Sequence, residues 1–175
     1  MKHRLLRYLA YTIELIVFSN VVNTQNLLPV FCRSKPMFLI LISFFISIFE
    51  GKKTGVFFGI LTGILMDISF QGKLGFYLLI IPIFGFILGE ISERVIKQDD
   101  LTSMIVCFFS VVVFVFLEFL ILYVFKGYDQ KIYTFFNYYL TKLVYTTVFI
   151  PVVYFFNKAF ASNIREREKY LIKQE

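Results

Sequence analysis

Ionisable side chains inside oily stretches are where this sequence could do chemistry: Glu14, Asp67, Glu118 and Lys142 all fall within long apolar runs. General acid–base or nucleophilic catalysis needs such groups in sets, most often around a histidine. The single histidine is His3, beside the first residue. Histidine dyads and HExxH zinc hydrolysis therefore have no source within the runs. An aspartyl pair sharing a proton needs two carboxyls at one depth; Asp67 is the lone Asp in a run, and Glu14 and Glu118 belong to other runs. Cys32 and Cys107 match neither a metal spacing nor a disulfide framework. No Walker loop or dinucleotide fingerprint is present. The residues imply no enzyme, no cofactor and no metal.

Glu118 and Lys142 are the pair whose spacing is informative. They fall on successive runs of opposite direction, each roughly 10–15 Å from the same end, so the two charges can meet. Pairing spares each the cost of a lone charge in hydrocarbon, and an intramembrane ion pair is the expected arrangement. Glu14 lies mid-run with Asn20 and Asn23 beyond it. An interhelical hydrogen bond from a partly protonated Glu14 is the modest expectation, and a coupled-ion or proton route the sharper one.

Asp67 ends a different pattern. Gly51, Gly55, Gly59 and Gly63 recur every four residues, Asp67 continues that register, and Gly72, Gly75, Gly85 and Gly89 follow; these are eight of the nine glycines. Four residues advance a helix by about 400°, so such glycines make a narrow strip without side chains. In lipid, close backbone approach along small-xxx-small strips is a principal means of helix association. The strip is expected to pack against another helix, either the next one in an antiparallel hairpin or the helix of a partner protein. Two readings are open for Asp67. Its carboxylate accepts hydrogen bonds from the turn "SFQGKLG" and the start of the next helix, or it anchors a partner or ligand at the outer face.

The elements that position these groups follow from composition. The chain has 175 residues, 58% hydrophobic, with 24 Phe, 11 Tyr and no Trp, and a mean hydropathy of +0.75. Apolar blocks separated by short charged clusters are the pattern of helices crossing a bilayer about 30 Å thick. The predicted spans are roughly 7–23, 36–49, 54–70, 74–91, 101–125 and 132–156, followed by a short charged tail, 157–175, in a single polytopic domain. The second is short, about 21 Å at 1.5 Å per residue, and is expected to be short, tilted or re-entrant. The basic, apolar start has Glu14 in its middle and no small-residue cleavage site, and reads as a retained first helix.

With six spans and the N-terminus inside, twelve Lys and Arg fall on the cytoplasmic side and five outside, with Lys142 in a span. That asymmetry obeys the positive-inside rule and places both termini in the cytoplasm. The net charge of +6 is thus an orientation signal with some attraction to anionic lipid, and no nucleic-acid partner is implied. Tyr8, Tyr11, Tyr77, Tyr123, Tyr133, Tyr138 and Tyr139 are left to supply an interfacial belt. Pro82 and Pro151 are expected to kink their helices.

The order of these features, a basic start, "KPMFLILISFFISIFEG", then "GVFFGILTGILMDISFQGKLGFYLL" and "GFILGE", resembles the rod shape-determining protein MreD family. The specific part is residues 51–90, where the family's glycine and aspartate positions map onto Gly55, Gly59, Gly63, Asp67, Gly72 and Gly75. The resemblance implies a multi-pass protein of the bacterial plasma membrane, a scaffold of the cell-elongation machinery. Its partners would be a single-pass MreC-like protein and, indirectly, MreB-like filaments and the wall synthases. It also implies an all-α bundle of about six helices, similar in architecture to the substrate-binding subunits of energy-coupling-factor vitamin transporters.

Two functions are therefore set side by side. One is a non-enzymatic scaffold that receives an MreC-like partner on its glycine-lined face. The other is a vitamin-capture subunit with an outward pocket, for which Asp67, Gln71, Gln25, Asn23, Asn26 and Asn137 are the polar groups on offer.

Overall fold

The structure, a computed structural model, describes residues 2–23, 37–69, 75–94, 100–121 and 131–172. Its elements are α1 (Lys2–Asn23), α2 (Phe38–Glu50), α3 (Lys52–Ser69), α4 (Phe76–Arg94), α5 (Asp100–Phe119), α6 (Lys131–Thr134), a π-helical stretch (Phe135–Leu140) and α7 (Thr141–Ile172). Thr134 and Thr141 both keep right-handed helical angles, so α6, the π stretch and α7 run on as one rod. Among the described residues there is no strand.

A helix that is apolar on every side has no face for water and belongs at a centre. α2, FLILISFFISIFE, is such a helix, and every residue from Phe38 to Ile48 is buried. The helices α1, α3, α4, α5 and α7 pack around it. Aromatic contacts fix its flanks: Phe44 meets Phe84 at 5.5 Å and Phe114 at 6.2 Å, Phe45 meets Tyr154 at 5.4 Å, and Phe38 meets Phe149 at 4.9 Å between ring centroids. The short second span of the sequence is the core of the bundle. Its thirteen residues rise only about 20 Å.

A single residue separates α2 from α3. Gly51 makes that corner at φ 85°, and Gly75 precedes α4 at φ 91°; side chains with a Cβ resist this region of backbone space. Among the described residues, three stretches are long and apolar enough to cross a membrane: Phe76–Arg94, Asp100–Phe119 and Phe135–Ala159. α3 carries Lys52, Lys53 and Asp67 within its eighteen residues. Outward-facing Ile64, Leu79, Ile83, Phe109, Val148 and Phe155 are exposed, an apolar surface that hydrocarbon satisfies and water does not.

Candidate functional site

The glycine strip is filled from within the chain. A Cβ on Gly55 would lie 2.6 Å from the Gly85 carbonyl oxygen, on Gly59 2.8 Å from Pro82 Cα, and on Gly63 2.6 Å from Leu78 Cα; one on Gly89 would strike the Lys52 backbone. As the α3 index rises the facing α4 index falls, so the two helices are antiparallel and touch backbone to backbone. Ser47 of α2 joins them: its side chain lies against both Gly55 and Gly85, while its hydroxyl donates to Ser43 O at 2.7 Å.

Of the two expected arrangements this is the antiparallel hairpin: α4 occupies Gly55, Gly59 and Gly63 from within the chain. Two further glycines leave the strip. Gly51 lies at the α2–α3 corner with Glu93 beside it, and Gly75 has open space where a Cβ would be; both are there for their positive φ. Gly72 lies outside the described residues.

Asp67 closes the far end of the seam. Its Oδ2 accepts from the backbone N–H of Gly75 and of Leu78, each at 3.1 Å, and its Oδ1 accepts from Tyr77 N at 3.3 Å. The first N–H groups of a helix have no partner within it, and a carboxylate there satisfies them and meets the positive end of the helix dipole. Asp67 is 6% exposed, so its oxygens are turned to α4. Replacing it by alanine is expected to cost about 2 kcal/mol, while Asn, with one acceptor oxygen, costs about half. Denaturant midpoints of the two variants in micelles check the order.

In the first turn of α4 the same helix start reaches a buried polar knot through Tyr77. Lys142 of α7 donates to Glu118 of α5, with Nζ 3.0 Å from Oε1 and 2.8 Å from Oε2, and the Tyr77 hydroxyl donates to Oε1 at 2.6 Å. Glu118 and Tyr77 are fully buried and Lys142 nearly so. The ammonium lies 5.9 Å from the Tyr138 ring centre. The structure thus brings Glu118 and Lys142 together, and adds Tyr77. That residue does not join an interfacial belt, because its ring is stacked on Phe114 inside the bundle. Its signal in the sequence is the apolar stripe it starts, with Ile81, Phe84 and Leu88 buried on the same face. Tyr11 likewise turns inward and donates to Glu50 Oε1 at 3.1 Å.

At the opposite end of α3 a cleft of about 380 Å³ is lined by Arg7, Tyr8, Glu50, Lys52, Lys53, Thr54 and Glu93. Its walls are held by pairs: Arg7 to Glu50 at 3.2 Å, Lys52 to Glu90 at 2.7 Å, Tyr8 to Thr54 at 3.3 Å, and Lys52 N to Glu93 at 3.3 Å. Hydrogen bonding to Glu90 holds the Lys52 ammonium above its usual range. In the sequence Glu50, Glu90 and Glu93 look like ordinary charges at span ends, and nothing local marks them as the walls of a cleft. Nearby, Ser92 donates to the Ile48 carbonyl, and on the α5–α7 flank Tyr154 donates to Asp100 at 2.8 Å. Among the described residues no three His, Cys, Asp or Glu gather as a metal site. Cys107 is buried and free; Cys32, Gln25, Asn26 and Gln71 lie outside the described residues.

The arrangement is a helical bundle with an apolar outer surface, a closed α3–α4 seam, a buried polar knot and a polar cleft beside the start of α3. Neither curated proteins nor solved structures gave a match to the chain. The family model described as rod shape-determining protein MreD matches residues 3–160, which takes in the seam, the knot and the cleft. This chain belongs to the MreD family of rod shape-determining membrane proteins.

Proposed function

We propose that this protein is a non-enzymatic scaffold of the bacterial cell-elongation machinery, crossing the plasma membrane six times with both termini in the cytoplasm and binding a single-pass MreC-like protein. The family match over residues 3–160 carries the reading. The twelve-to-five distribution of Lys and Arg supports the orientation, which turns the Arg7–Glu93 cleft to the cytoplasm. With the glycine seam closed, the partner's contact is assigned to that cleft. Its walls are pre-formed by paired groups, and Lys53 is exposed with no ion pair among the described residues. Pre-formed, charged surfaces choose partners by electrostatic complementarity. The vitamin-capture reading gains nothing comparable, because Asp67, the acid it needs in a pocket, spends its oxygens on α4.

Lys53→Glu leaves every described contact of the fold intact and is expected to lower recovery of the MreC-like partner about tenfold, as for a change of about 1.4 kcal/mol. Depletion of the protein is expected to round the cells, and the variant to restore rod shape poorly. Rod shape kept on depletion would overturn the scaffold reading. Normal partner recovery with Lys53→Glu would overturn the cleft alone.

A further inference from the structure

The cleft and an exposed stripe of α3 meet end to end. Lys53 is exposed, as are Phe57, Ile60 and Ile64. They fall three or four residues apart, so they follow one face of the helix. The Phe57 and Tyr8 rings meet edge-to-face at 5.7 Å, and Tyr8 also lines the cleft beside Arg7 and Lys53. A polar cavity therefore opens directly onto an apolar face. From Lys53 to Ile64 the stripe runs about 16 Å, half the thickness of a hydrocarbon core of about 30 Å. Its length is that of one leaflet.

The charges lining the cleft do not cancel. Glu50 is answered by Arg7 and by the Tyr11 hydroxyl, and Glu93 by Lys52 at 3.7 Å. With both lining acids engaged, Lys53 is left as an exposed cation with no ion pair among the described residues. The hydroxyls of Thr54 and Tyr8 share one hydrogen bond at 3.3 Å, in which either can donate. Two hydroxyls bring two hydrogens and that bond uses one, so the other can turn to an acceptor in the cleft. At about 380 Å³ the cavity is at the lower end of the range for small-molecule sites, about 300–1,000 Å³. It offers a cation, a donor and room for a small anionic group.

We infer that the cleft and the stripe together bind one anionic phospholipid of the cytoplasmic leaflet, its phosphate against Lys53 and the Thr54–Tyr8 hydroxyls and one acyl chain along Phe57, Ile60 and Ile64. A phospholipid is the occupant because it joins an anionic acceptor to an apolar chain of one leaflet's length, which is the order of groups along this face. Basic pockets on the cytoplasmic side of membrane helices take such headgroups. One unanswered cation matches the single negative charge of phosphatidylglycerol, whereas the choline of phosphatidylcholine would bring a second cation to Lys53. This site rests on the proposed orientation and deepens the role of the cleft, since a headgroup held there becomes part of the surface the partner meets.

Photolabelling of the full-length protein in nanodiscs tests it, with phosphatidylglycerol or phosphatidylcholine carrying a diazirine midway along one chain. Phosphatidylglycerol is expected to label α3 around Ile60 and Ile64 about fivefold more than phosphatidylcholine does, the difference one Lys makes toward an anionic lipid. Lys53→Gln should remove that preference and Lys53→Arg should keep it; neither disturbs a described contact of the fold. Equal labelling by the two lipids overturns the site, and so does a preference that Lys53→Gln leaves intact. A preference shown equally at the exposed Phe109 of α5 and Val148 of α7 would be surface charge alone and overturns it too. The scaffold reading is scored apart, by partner recovery with Lys53→Glu. Normal recovery beside selective labelling removes the partner from the cleft and leaves the lipid there; lowered recovery beside equal labelling does the reverse.

Discussion

Gly63→Ala is expected to cost about 3 kcal/mol or more, a large share of the 5–15 kcal/mol that holds a domain of this kind together. The added methyl would sit 2.6 Å from Leu78 Cα and 2.8 Å from the Tyr77 carbonyl oxygen. Both are main-chain atoms, so no rotamer change relieves the overlap. α3 and α4 must move apart by about 1 Å to restore ordinary contact distance. That displacement is shared by the neighbouring contacts at Gly59–Pro82 and Gly55–Gly85, because helices are stiff over a few turns. It also drags the α4 start away from Asp67. Since lipid supplies no hydrophobic force to push the helices back together, the lost dispersion contacts are not replaced.

Gly59→Leu or Gly63→Leu should abolish the folded bundle outright, and partner recovery would fall with it for that reason alone. Gly75→Ala is the matched control: its φ of 91° is costly for alanine, about 1–2 kcal/mol, yet a Cβ there meets nothing within 4 Å. Denaturant titration in micelles should rank Gly63→Ala well below Gly75→Ala. Equal midpoints would mean that α3 and α4 are not in backbone contact at Gly63.

The seam was half legible in the sequence. A four-residue glycine period marks a helix face that must be approached closely, because it coincides with the helical repeat. The period does not say whether the approaching backbone belongs to the same chain, since intrachain and interchain contacts demand the same small residues. Gly51 fits that period by number yet serves as a corner, because φ is set by where helices end, and the apolar runs do not mark those ends to one residue. α2 shows the converse. Its length argues for a weak span, but its uniformly apolar composition was the better signal of a central helix. Glu118 and Lys142 were matched by depth along antiparallel helices, an argument from rise per residue. Tyr77 escaped it because a tyrosine at a span end looks interfacial unless its stripe with Ile81, Phe84 and Leu88 is followed. The Asp100–Tyr154 and Arg7–Glu50 contacts join distant segments, and no local pattern announces them.

Lys142→Met is expected to cost about 3–5 kcal/mol, the range found when one member of a buried pair is removed and the other stays charged. The cation 2.8 Å from Glu118 Oε2 disappears, while the carboxyl remains at zero exposure, and methionine fills the volume of the lost stem without answering its charge. The pair itself stabilises far less than its loss destabilises, because both ions were taken out of water to form it. Glu118→Gln with Lys142→Met therefore should return to within about 1 kcal/mol of wild type: the glutamine carbonyl still accepts from Tyr77, and no charge is left to compensate. Glu118→Leu with Lys142→Met should recover less, because it also takes away the acceptor of the 2.6 Å Tyr77 hydrogen bond, at about 1–3 kcal/mol. Reversing both charges, Glu118→Lys with Lys142→Glu, keeps an ion pair and lets the Tyr77 hydroxyl turn to accept, so it should outperform either single reversal. Midpoints for the singles and doubles form a thermodynamic cycle whose coupling term isolates the contact. A Lys142→Met cost under about 1 kcal/mol, or doubles no more stable than the singles, would mean that Glu118 does not depend on Lys142. The tie between α5 and the rod that ends in α7 would then rest on Phe119 against Phe135 and Tyr139 and on the Asp100 contacts with Tyr154 and Lys158 at the other end of the bundle.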